Sequence, residues 1–70
     1  MDKNALRATI VAHGDTQKDL ADYLGIGLPT LNGKINGKTD FKYSEMLGIK
    51  RKYGLTFHDI AAIFFSDEVS

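Results

Sequence analysis

An all-α domain of five short helices is the fold class this sequence predicts. Three observations predict it. Apolar residues recur at helical spacing, as in Leu6/Ile10, Leu20/Leu24 and Leu31/Ile35. Aspartate or threonine stands ahead of several such runs and glycine behind them, which are start and stop signals for helices. The chain has 70 residues, which make one domain at most, so the helices must share a single small core.

The first helix is expected from about Lys3 to His13, with Leu6, Ile10 and His13 on one stripe. Gly14 stops it, because glycine takes the left-handed conformation cheaply. Thr16 caps the second helix, and Asp19, three residues on, can complete a capping box. Leu20, Ala21 and Leu24 form its inner stripe, Tyr23 lies on a flank, and Gly25 ends it. The third helix starts near Gly27–Leu28. Pro29 is tolerated there because first-turn amides have no intrahelical acceptor. Leu31 and Ile35 face inward. Leu28, Pro29, Asn32, Gly33 and Asn36 face outward, with Thr30 and Lys34 on the flanks, and Asn36-Gly37 terminates the helix.

Asp40 can cap a fourth helix through about Tyr53. Met46, Leu47, Ile49 and Tyr53 are its expected buried residues, with Phe41 or Tyr43 where it begins. Gly48 costs such a helix about 1 kcal/mol relative to alanine, which a close helix–helix approach would explain. Thr56 caps the fifth helix with Asp59 at the box position, and Leu55 and Ile60 are spaced for a hydrophobic staple. The apolar run continues through Phe64 and Phe65 into a polar tail that contains Val69.

Composition excludes several classes. There is no cysteine, hence no disulfide and no thiolate metal site. His13 and His58 lie far apart without carboxylates at ligand spacing, so no metal or other cofactor is expected. No long apolar run is present, and this reads as a soluble, cytoplasmic protein without a membrane span. Formal net charge is zero, but it is unevenly spread. Residues 34–52 carry Lys34, Lys38, Lys42, Lys50, Arg51 and Lys52 against only Asp40 and Glu45. The segments on either side are net acidic. Positive charge thus begins inside the third helix, where phosphate contacts would be needed. The plain alternative is an ordinary solvated face.

The stretch from Thr16 to Lys38 is the most informative one. Two helices joined by a tight glycine-containing turn form a helix-turn-helix, which usually presents its second helix to the DNA major groove. Ala21 is small where crossing helices would touch, Gly25 opens the turn, and Ile26 plugs the space between the helices. A plain helical hairpin without a ligand is the competing reading.

Thr16, Gln17, Leu20, Ala21, Leu24, Gly25, Ile26, Thr30, Leu31, Ile35, Asn36, Gly37 and Lys38 together resemble the lambda-repressor-like, or Cro-like, family of phage and bacterial regulators. The ending FHDIAAIFFSDEV is similar to a group of small phage proteins described as Cro repressors. The resemblance implies a single five-helix domain over residues 1–70, with the motif at about 16–38. It implies a repressor that binds operator DNA as a dimer. By position, Gln17 would contact a phosphate and brace the third helix. Thr30 and Asn32 would approach base edges, and asparagine can bond adenine at two atoms. Asn36, Gly37 and Lys38 would clamp a phosphate, and Lys34 would add positive charge beside them. Leu28, Pro29 and Gly33 depart from the pattern, because relatives often carry polar base-reading residues there. Leu28 and Pro29 could instead pack on thymine methyl groups, and Gly33 could admit a close backbone approach. Shape readout and protein binding by this surface are the alternatives.

Phe64, Phe65 and Val69 form a candidate dimer surface within residues 55–70, with completion of the core as the alternative for the phenylalanines. A two-fold dimer would set its recognition helices roughly 34 Å apart, matching successive major grooves. Two rivals keep the same fold: a protein-interaction module, and an antitoxin-type regulator that binds both DNA and a toxin. An enzyme is not expected, because no nucleophile–base pair, paired carboxylates or phosphate-binding glycine loop is present.

Overall fold

The computed structural model describes residues 1–67. They form five α-helices and, among the described residues, no strand. The helices are α1 (Lys3–Ala12), α2 (Gln17–Leu24), α3 (Leu28–Ile35), α4 (Tyr43–Tyr53) and α5 (Phe57–Phe64). None is long and apolar enough to cross a membrane.

The starts are set by local side-chain bonds. Asp2 caps α1 by accepting from the Ala5 amide at 3.0 Å. Both arms of the capping box at α2 are made: the Asp19 amide donates to Thr16 Oγ1 at 3.1 Å, and the Thr16 amide to Asp19 Oδ2 at 2.8 Å. Thr56 and Asp59 repeat it at α5, at 3.0 and 2.9 Å. A threonine cap of this kind contributes about 1 kcal/mol. The α2–α3 turn depends on Gly25, which has φ of 72°. That conformation lets the Ile26 amide reach back to the Ala21 carbonyl at 3.0 Å and close the helix end.

The core draws on every helix. Leu6 and Ile10 come from α1, Leu20 and Ala21 from α2, Leu31 and Ile35 from α3, Ile49 and Tyr53 from α4, and Ile60, Ile63 and Phe64 from α5. Leu6, Leu20 and Leu31 are fully buried, and each such side chain stabilises the fold by about 1.5–3 kcal/mol. α2 packs on both α3 and α4. The contact with α4 explains Gly48, since a Cβ there would stand 2.9 Å from Leu24 Cδ2. At the other end, the Asp2 amide donates to the Ile63 carbonyl at 2.7 Å and ties the N-terminus to α5.

Several expectations are corrected. His13 leaves the inner stripe of α1 and is exposed at its C-cap, where its ring lies 4.7 Å from that of Tyr53. Asp40 does not cap α4. Phe41 turns into the core against Phe64, with ring centroids 5.1 Å apart, and the helix cannot begin until the chain has passed it. Lys42 is the N-cap instead, and its amide donates to Glu45 Oε1 at 2.7 Å. Tyr43 stays exposed, while Met46 and Leu47 are only half-buried.

Candidate nucleic-acid interface

α3 is held on one side and open on the other. Leu31 and Ile35 are buried against the core. Leu28, Pro29 and Thr30 are exposed, with Leu28 at 37%. Asn32 and Gly33 are half-buried, as is Gln17 at the start of α2, so these three are less open than the sequence suggests. No side chain caps α3, whose N-cap is Gly27. Gly33 is not demanded by packing within the chain, because a Cβ there would meet only Lys38 Cβ at an ordinary 4.0 Å.

Asn36, Gly37 and Lys38 follow α3 as an exposed turn. Its backbone is held by α3 itself: the Lys38 amide donates to the Gly33 carbonyl at 2.8 Å, and the Gly37 amide to the Lys34 carbonyl at 3.2 Å. Gly37 has φ of 82°, which makes this return possible without strain. Arg7 on α1 reaches the turn, donating from Nη2 to Asn36 Oδ1 at 3.2 Å. The carboxamide oxygen is thereby engaged, which leaves the amide NH2 as the group Asn36 can offer an outside acceptor. Arg7 was not legible as part of this site, because no local spacing links it to a residue 29 positions away.

Lys34 is the clearest correction to the expected site. It is 7% exposed rather than lying on an open flank. Its Nζ lies 3.0 Å from Glu45 Oε1 and donates to the Asp40 carbonyl, also at 3.0 Å. A paired, buried ammonium cannot serve as a phosphate contact. Burial pushes the Glu45 carboxyl up, but the bonds from the Lys42 amide and the Lys34 ammonium outweigh this and hold it below the usual carboxylate range.

The positive segment is correspondingly thinner at the surface than in sequence. Lys52 is tied to Asp15 at 3.1 Å, and Lys50 lies 4.5 Å above the Phe57 ring. Lys38 and Lys42 are exposed beside the turn and, among the described residues, form no ion pair.

The candidate dimer surface divides. Phe64 is buried and completes the core, whereas Phe65 is 40% exposed. Val69 lies outside the described residues. Phe64 and Phe65 both border an open cleft of about 500 Å³, which Met1, Phe41 and Met46 also line. Among the described residues no group of three or more potential ligands could hold a metal ion.

Comparison with family models, with curated proteins and with solved structures finds no match to this chain.

Proposed function

We propose that the chain is a DNA-binding transcriptional regulator of the lambda-repressor-like, Cro-like kind, in which α2 and α3 act as the helix-turn-helix. α3 enters the major groove and the Asn36–Lys38 turn grips a phosphate. The observation that carries this reading is the two-sidedness of α3. Leu31, Lys34 and Ile35 are buried beneath it, while Leu28, Pro29 and Thr30 project outward and Arg7 holds Asn36 where the helix ends. A helix braced on one face and bare on the other suits insertion into a groove about 12 Å wide. Lys38 and Lys42 supply the sequence-independent attraction to phosphate. Asn32 is the polar side chain best suited to an adenine edge, while Leu28 and Pro29 suit thymine methyl groups. Binding by two copies, joined through the surface around Phe65, would read a near-palindrome and block a promoter without any catalysis.

A second reading follows from Leu28, Pro29 and the zero net charge: the same face binds a protein instead. Selection from random-sequence duplex DNA at two salt concentrations separates the two. Enrichment of a short near-palindrome, with affinity falling as salt rises, is the expected result. Absence of both enrichment and salt-dependent binding would rule out the DNA reading and leave the protein partner.

A further inference from the structure

Lys34 and Glu45 form a buried ion pair, with side chains only 8% and 9% exposed. Stability alone does not account for it. Apolar residues of similar size in place of a buried pair are often neutral or stabilising, because the charges must be stripped of water. What distinguishes this pair is where its remaining bonds go. Lys34 Nζ also holds the Asp40 carbonyl, and the Glu45 oxygen that meets Lys34 also accepts the Lys42 amide at 2.7 Å. The backbone of the same α3 turn, at Gly33 and Lys34, accepts from Lys38 and Gly37. The segment between α3 and α4 is therefore pinned to one point at both ends: at Gly37 and Lys38 by backbone, and at Asp40 and Lys42 by the buried charges.

We infer that Lys34 and Glu45 are positioning residues that set the orientation of the Asn36–Lys38 turn toward a nucleic-acid backbone. The inference rests on the DNA reading above. Neither residue touches DNA. A phosphate clamp made of the Asn36 side-chain NH2 and the Lys38 ammonium tolerates little displacement, and residues 39–42, which lead from it to α4, have no helix or strand to keep their shape. The pair supplies that rigidity from beneath.

The test is the double variant Lys34→Met/Glu45→Gln. Methionine fills the space of the lysine stem, and glutamine can still accept the Lys42 amide, so the fold should survive. Two quantities are read in the full chain. One is hydrogen exchange of the Gly37 and Lys38 amides relative to the α2 amides, expected to quicken about tenfold. The other is the affinity for duplex DNA, selected and random alike, expected to fall about tenfold with a shallower salt dependence as phosphate contacts at the turn are lost. Unchanged relative exchange overturns the inference, and so does quicker exchange with unchanged affinity for both duplexes. Should the double variant fail to fold, Glu45→Asp keeps both charges and shortens the reach, and is held to the same two outcomes. A wild-type chain that enriches no duplex sinks the DNA reading and this role together. Enrichment by the wild type with intact affinity for both duplexes in the variant sinks this role alone.

Discussion

Gly48 of α4 sits directly beneath Leu24 of α2, so close that a Cβ at 48 would stand 2.9 Å from Leu24 Cδ2. Two effects oppose each other at this position. Alanine would gain about 1 kcal/mol of helix propensity, while the overlap would cost about 1–3 kcal/mol if nothing moved. The obstructing atom is the end of a half-buried side chain, which can shift and recover part of that cost. Gly48→Ala is therefore expected to change stability by less than about 1 kcal/mol. In a Leu24→Ala background it should stabilise by about 1 kcal/mol, since the overlap is gone. Denaturant unfolding of the four proteins gives the coupling. Equal effects in both backgrounds would deny the contact any energetic content.

The Tyr53 hydroxyl donates to Asp15 Oδ2 at 2.9 Å, joining α4 to the α1–α2 turn. Lys52 meets the same oxygen at 3.1 Å. Burial, followed by the bond to Asp15, pushes the Tyr53 phenol well above its usual value of 10.0. The native state thus keeps its proton where the unfolded chain has lost it. The resulting stability is complete below pH 10 and declines as the pH climbs further, toward the native value. Tyr53→Phe should cost about 1–2 kcal/mol at neutral pH through loss of a bond to a charged acceptor. It should also make the alkaline decline shallower. Thermal melts of both proteins at pH 8 and above pH 10 test this, and parallel declines would show that the phenol proton contributes nothing.

On the proposed DNA reading, base contact and phosphate contact separate Asn32 on α3 from Lys38 in the turn that follows it. Asn32→Ala should weaken the selected duplex by about 1–3 kcal/mol while hardly changing random DNA. Lys38→Ala should weaken both and lower the salt slope by about one phosphate contact. Titrations at several salt concentrations measure both quantities. Parallel losses for the two variants on both duplexes would remove the distinction.

Neighbouring phenylalanines at the end of α5 should behave differently. Phe65→Glu places a charge on a side chain that is 40% exposed, so the fold should persist and any dimer should dissociate. Phe64→Glu buries an unpaired carboxylate against Phe41 and should unfold the domain. Sedimentation and circular dichroism distinguish these results. An unchanged sedimentation profile for folded Phe65→Glu would show that this surface does not join two copies.

What the sequence by itself determined is the division into helices. Thr16 with Asp19, Thr56 with Asp59, and Gly25 behind Leu24 act within five residues of their partners, so spacing alone reveals them. Ala21 was likewise legible as a buried contact, because helical periodicity places it beside Leu20 on the inner face. Asp40 failed as a cap for a non-local reason: Phe41 finds Phe64 across the molecule and delays α4. The site is legible only in part. Its exposed residues Leu28, Pro29, Thr30, Asn36 and Lys38 follow from the face left over by Leu31 and Ile35. Its supports do not. Lys34 lies three residues beyond Leu31 on the buried stripe, but its charge argued for the surface until Glu45 and the Asp40 carbonyl could be seen to receive it. Arg7 with Asn36 and Asp15 with Tyr53 are 29 and 38 residues apart. Such polar pairs obey no period. Each forms only where packing has already brought two helices together, and so the tertiary structure alone decides which charges are spent on holding the fold and which remain for a partner.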